Sequence, residues 1–109
     1  MSTVSATINA GVCGFVTEVT ARCEDSQHVS FEVVSPCEKA QRLAEILPTV
    51  DAYAEIGSGF DGQVMTAVRE CFTGCCSGCA VPVGVFKAMQ VAASLALPSA
   101  VSIDLQRVS

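Results

Sequence analysis

The chain has 109 residues, seven of them cysteine, with one histidine, one tyrosine and no tryptophan; half of it is hydrophobic. A domain of this length buries roughly 65% of the surface its unfolded form exposes, so it supports a core without cross-links. The net charge of -5, with only six Lys and Arg, provides no footprint for a phosphate backbone, and no uncharged apolar run reaches the ~18 residues of a membrane span, so neither nucleic acid nor membrane is expected as a partner.

The amino terminus, Met1-Ser-Thr-Val-Ser-Ala-Thr-Ile8, lacks the basic start and continuous apolar stretch of a secretory signal, and a cytoplasmic location is expected. In a reducing compartment seven cysteines read as free thiols, metal ligands or a catalytic group before they read as a disulfide framework. The first third of the chain alternates with period two. Val4, Ala6 and Ile8 point one way, with Thr3, Ser5, Thr7 and Asn9 the other. The glycines of Ala10-Gly-Val-Cys-Gly14 then suit a tight connection. Phe15, Thr17, Val19 and Ala21 alternate with Val16, Glu18, Thr20 and Arg22, and after the polar turn Glu24-Asp-Ser-Gln27 the pattern resumes at Val29, Phe31 and Val33. These are three predicted strands, the second and third forming a hairpin.

Period two stops at Ser35. Ser35-Pro-Cys-Glu38 reads as a capping box with Ser as N-cap and Pro at the first helical position. Ala40, Leu43, Ala44 and Leu47 follow at helical spacing until Pro48. Val50 to Ile56 reads as a short helical turn followed by the breaker Gly57-Ser-Gly59, and Gly57-Ser-Gly-Phe-Asp-Gly62 reads as a hinge or turn rather than a phosphate loop, since it follows no predicted strand and lacks the lysine of such a loop. A second helix is predicted from Asp61 to Phe72. A third begins near Pro82 with Val85, Met89, Ala92 and Leu95 on its apolar circumference, and ends at Leu97-Pro98. Val101, Ile103 and Leu105 alternate with Ser102, Asp104 and Gln106 and predict a last strand. The order βββαααβ favours a single α+β domain over residues 1–109. It has two layers, a four-stranded antiparallel or mixed sheet with about three helices on one face. The strands' second face, rich in Ser, Thr and charge, reads as solvated, with a homodimer surface as its secondary reading.

Four cysteines fall within Cys71-Phe-Thr-Gly-Cys75-Cys76-Ser-Gly-Cys79. If adjacent strands run antiparallel and the helices follow in alternation, Cys13, Cys37 and this cluster converge at the end of the sheet where the first strand finishes, and Cys23 lies at the opposite end. Cys76-Ser-Gly-Cys79 is a C-x-x-C, a spacing at which two sulfurs chelate one metal. A tetrahedral site needs two more ligands, and Cys13 and Cys37, each the sole cysteine of its loop, are chosen. Cys75 is the substitute for Cys76, because adjacent residues seldom bind one ion together; Cys71, at a helix end, reads as core. The expected centre is an iron-sulfur cluster ahead of zinc, since the strong zinc signature has two C-x-x-C pairs. His28 reads as a surface residue, and Asp51, Glu55 and Asp61 form no carboxylate pair.

The segments Ala10-Gly-Val-Cys-Gly-Phe15, Ser35-Pro-Cys37, Cys79-Ala-Val-Pro82, Lys87-Ala88, Leu95-Ala-Leu-Pro98 and Val101-Ser-Ile103 together resemble a small family of uncharacterised prokaryotic proteins found largely in anaerobes. The resemblance spans nearly the whole chain and implies a cytoplasmic single domain without an assigned activity. The leading expectation is a binding module for a metal or iron-sulfur centre, serving electron transfer, sensing or metal handling with an unidentified redox or metal-delivery partner, rather than an enzyme. The alternatives are a thiol-disulfide redox protein using Cys76 and Cys79 and an interaction protein with buried thiols. No catalytic residue is assigned.

Overall fold

The computed structural model describes the backbone of residues 1–109 and every side chain except that of Cys75. Its order is β1 Ser2–Asn9, β2 Val16–Cys23, β3 His28–Val34, α1 Glu38–Ile46, β4 Val50–Asp51, α2 Ala52–Ser58, α3 Gln63–Cys71 and α4 Val81–Ala92, with 3-10 turns at Gly59–Asp61 and Gly74–Gly78. The four strands form one antiparallel sheet in the order β1-β2-β3-β4. This is the α+β class expected from the strand and helix periodicities.

The period-two pattern sets the register. Val19, in the middle of β2, lies between Ala6 of β1 and Val33 of β3, and Ala21 lies between Val4 and Phe31. These residues share one face, where α4 lies across β1 and β2, α1 lies against β3, and α3 packs on α1. Val19, Ala21, Cys23, Val29, Leu43, Val64, Val81, Val85 and Met89 fill the space between the layers. The other face is mostly polar, with Val16 and Val34 exposed on it. Thr7 donates to Glu18 at 3.2 Å and Arg22 pairs with Glu32 at 3.2 Å, both exposed.

Gly84 fixes how closely α4 lies on β1. A Cβ at that position would meet Ile8 Cδ1 at 2.2 Å and Cγ1 at 2.6 Å. The helix backbone thus touches the strand's side chain directly, as only glycine permits.

Four predicted details are corrected. The last strand at 101–105 does not form: every residue from 96 to 109 is exposed coil, because alternation becomes a strand only where a ladder partner stands beside it. The fourth strand is instead Val50–Asp51, a segment read as a helical turn, whose Val50 and Asp51 pair with Val29 and His28. The first helix starts at Glu38 with Cys37 as N-cap, and no side chain caps it. Ser35 is drawn away from the capping role because its hydroxyl pairs with Thr17 Oγ1 at 2.7 Å inside the core, while accepting from Cys37 N–H at 3.1 Å. Finally, α4 stops at Ala92 rather than at Leu97-Pro98. Ser94 takes a φ of 63° and Leu95 N–H bonds back to Gln90 O at 2.8 Å, a helix-ending turn.

Two carboxylates that the sequence left unplaced are helix caps. Asp51 accepts from Tyr53 and Ala54 N–H at the start of α2. Glu55, 2% exposed, accepts from Val64 N–H at 2.7 Å and Gln63 N–H at 3.1 Å, closing the start of α3.

Candidate cysteine site

Asn9 of β1 pairs with Val16 of β2, so loop 10–15 caps the end of the sheet where β1 finishes. β3 finishes at the same end, and the Thr17–Ser35 hydroxyl pair ties the start of α1 beside it. The helix then runs back toward β4, whose pairing with His28 and Val29 marks the opposite end. α3 returns: Lys39, in the first turn of α1, donates through Nζ to Thr73 O at 3.1 Å and to Cys76 Sγ at 3.5 Å. α4 leaves from this end too, with Gly84 against Ile8. The strand and helix directions run as the alternation of elements suggested, and the loop of Cys13, the cap position of Cys37 and the 71–79 segment belong to one end of the domain.

Within that end the thiols differ. Cys37, Cys76 and Cys79 are half-buried and pack against the core cluster. Cys13 is exposed in its loop. Cys71 is buried in the last turn of α3, as its core reading requires, and burial pushes its thiol up, opposed by the Arg42 guanidinium. Cys23 is buried at the far end of β2. These six thiols are all free. The side chain of Cys75, named as a substitute for Cys76, lies outside the described residues.

The C-x-x-C forms a compact turn. Cys79 N–H bonds to Cys76 O at 3.0 Å, and Val81 N–H, at the first residue of α4, donates to Cys79 Sγ at 3.5 Å. Cys79 therefore receives a backbone N–H at a helix start, and Cys76 has a lysine ammonium at its side. Lys39 is the site residue that sequence reasoning missed. Its signal was its position two residues after Cys37, in the first turn of the helix that starts at the thiol-bearing end.

Among the described residues no three His, Cys, Asp or Glu side chains stand close enough together to hold a metal ion. The topology thus brings the segments of Cys13, Cys37, Cys76 and Cys79 to one end without gathering their sulfurs into a closed set. The single histidine is elsewhere. His28 is exposed at the start of β3, where its Nδ1 lies 2.7 Å from Asp25 Oδ2. That contact holds the Asp25 carboxyl well below the usual range and raises the imidazole, with Asp51 adding to the latter. An open depression elsewhere, lined by Ile46, Pro48, Gly62, Thr66 and Ala67 among others, contains no cysteine.

No helix of the described residues is long and apolar enough to cross a membrane. No curated protein and no solved structure matches the chain. One family model does match, over residues 4–105, and so includes the half-buried thiols, the C-x-x-C turn and the alternating residues of the exposed tail as far as Leu105; the chain belongs to that family, the family of unknown function DUF6951.

Proposed function

We propose that this protein is a binding module for a metal ion or iron-sulfur centre held by thiolates, with Cys37, Cys76 and Cys79 as the inner ligands and Cys13 as the fourth. The observation that carries the reading is the pair of half-buried sulfurs of the C-x-x-C turn, one of which already accepts a backbone N–H, at the end of the domain that also holds Cys37 and the loop of Cys13. Backbone N–H groups aimed at sulfur are the outer contacts that orient thiolate ligands and set cluster potentials. Because the sulfurs do not form a closed set beforehand, binding draws loop 10–15 and the turn at 74–78 inward. Metal affinity is thereby coupled to local ordering.

The test is purification without oxygen, followed by elemental analysis and a visible spectrum. Stoichiometric iron with sulfide-to-iron absorption, or stoichiometric zinc, lost in Cys37→Ser and in Cys79→Ser, is the expected result. Colourless, metal-free protein overturns the reading.

A second reading is favoured by the contact of Lys39 Nζ with Cys76 Sγ. A cation beside one sulfur of a C-x-x-C suits thiol-disulfide exchange. The Cys76 thiolate would attack one sulfur of a partner disulfide and release the other as a thiolate. Cys79 would then attack Cys76 in the mixed disulfide, releasing the second partner thiolate and leaving a Cys76–Cys79 disulfide, two electrons having passed to the partner. A two-electron couple lost in Cys76→Ser, in metal-free protein, selects this reading. Metal-free protein without such a couple leaves the thiols as core groups of an interaction protein.

A further inference from the structure

Among the described residues one edge of the sheet, that of β1, has no strand beside it. β1 has β2 on one side and no strand on the other, and its pairing runs through eight consecutive residues from Ser2 to Asn9 without a bulge. Soluble proteins blunt such edges with charge, proline, bulges or a covering segment, because an open row of N–H and C=O groups recruits another strand. The sequence Ser2-Thr-Val-Ser-Ala-Thr-Ile-Asn9 contains no charged residue, no proline and no glycine. Its inward-facing Val4 and Ala6 are only half-buried, so the core side of this edge is also incompletely covered.

The same chain carries a strand without a sheet. Residues 96–109 are all exposed, and among them Val101, Ile103 and Leu105, at 56%, 76% and 90% exposure, alternate with Ser102, Asp104 and Gln106. An apolar row on one side of an extended segment is what a sheet edge with an open core face accepts. The tail is not an appendage outside the domain, since the family match runs to Leu105. Nor does it fold onto its own body: the molecule measures 48 × 26 × 25 Å, with one axis nearly twice the others.

We propose that the C-terminal tail of a second copy docks along the free edge of β1, and that two chains exchange tails to form a symmetric homodimer. Exchange satisfies both defects at once, pairing β1's outward backbone groups and covering Val101, Ile103 and Leu105 beside Val4 and Ala6. The contact is isologous, so it closes at two copies and does not propagate. A stable dimer buries a total of about 1,200–2,000 Å². Two exposed fourteen-residue tails, each meeting an eight-residue strand, are the parts of this chain able to provide it. The proposal is independent of any metal or redox role of the cysteines.

The test is light scattering coupled to gel filtration on the full chain, kept reduced to exclude disulfide dimers. The expected mass is twice the 11.3 kDa of one chain, falling to the single-chain value in the double variant Ile103→Asp, Leu105→Asp. Both side chains are exposed in the single chain, so the variant retains its fold by circular dichroism. Phe60→Ser, at an exposed apolar residue that belongs to neither the tail nor β1, keeps the dimer. In a dimer of isotope-labelled and unlabelled chains, intermolecular contacts run between residues 101–105 and β1. A monomeric parent protein at 100 µM overturns the proposal, including the case in which the tail pairs with β1 of its own chain. So does a double variant that remains dimeric.

Discussion

Replacing Gly84 with alanine is the most direct test of how α4 sits on the sheet. Alanine is the better helix former by about 1 kcal/mol, so on propensity alone the change would stabilise α4. The packing opposes this. The added methyl would lie 2.2 and 2.6 Å from Ile8 Cδ1 and Cγ1, and Ile8 is itself buried. Overpacking of this kind costs about 1–3 kcal/mol, and contacts so short belong near the top of that range. The net expectation for Gly84→Ala is a loss of about 1–2 kcal/mol, read as a fall in Tm of about 4–8 °C for a domain of this size. Gly57→Ala is the matched control. It lies in α2 with nothing within 4 Å of its added methyl, and it should gain about 0.5–1 kcal/mol. Ile8→Ala removes both obstructing atoms. Alone it costs about 2–4 kcal/mol, but combined with Gly84→Ala the total should fall short of the sum by about 1–2 kcal/mol. Urea unfolding followed by circular dichroism measures all four variants. If Gly84→Ala is as stable as the parent, or the cycle is additive within about 0.5 kcal/mol, α4 does not approach β1 as described.

Three further outcomes are expected. Glu55→Ala strips the acceptor from two backbone N–H groups at the start of α3 and costs about 2–4 kcal/mol, whereas Glu55→Gln, which keeps one acceptor oxygen, costs about 1–2 kcal/mol; equal small losses in urea titrations would dismiss the cap. Ser35→Ala costs about 1–3 kcal/mol and more than Thr17→Val, because it removes the partner of the Thr17 hydroxyl and the acceptor for Cys37 N–H together; the reverse order would contradict the geometry. The Asp25–His28 pair gives opposite pH dependences. The raised imidazole stabilises fully below its ordinary 6.5 and loses that contribution as pH rises through its raised value, and the lowered carboxyl contributes above its ordinary 3.8 and loses that as pH falls. The pair therefore contributes most between about pH 4 and 6.5, and an NMR titration should place the His28 transition above the ordinary value in the parent and return it toward that value in Asp25→Asn.

The part of the fold written most plainly in the sequence is the three-stranded meander. Alternation in Val4 to Ile8, Thr17 to Ala21 and Val29 to Val33 is a local property, and it specifies which face each strand buries whatever packs there. Helices α1, α3 and α4 were legible for the same reason. The errors arose where one local signal had two uses. Ser35 satisfies a capping pattern, yet its hydroxyl finds Thr17, eighteen residues earlier in the chain, a partner that no local window contains. Val50 and Asp51 read as helix because their strand neighbours, Val29 and His28, are remote. The tail reads as a strand and has the pattern of one, but among the described residues nothing pairs with it.

The candidate site divides in the same way. Residue identity and spacing alone established the C-x-x-C and the wealth of thiols; counting antiparallel strands led to the expectation that Cys13 and Cys37 share one end, and alternation of the helices extended it to the 71–79 segment. Tertiary structure decided how far those thiols are buried, that Lys39 stands beside Cys76 and Val81 N–H beside Cys79, and that the described sulfurs do not form a closed set. The physical reason is the range of the interactions. Periodicity and turn chemistry act within a few residues, whereas side-chain contacts and burial depend on which surfaces meet after the helices settle on the sheet, a choice fixed here by the close approach of Gly84 to Ile8 and the hydroxyl pair of Thr17 and Ser35.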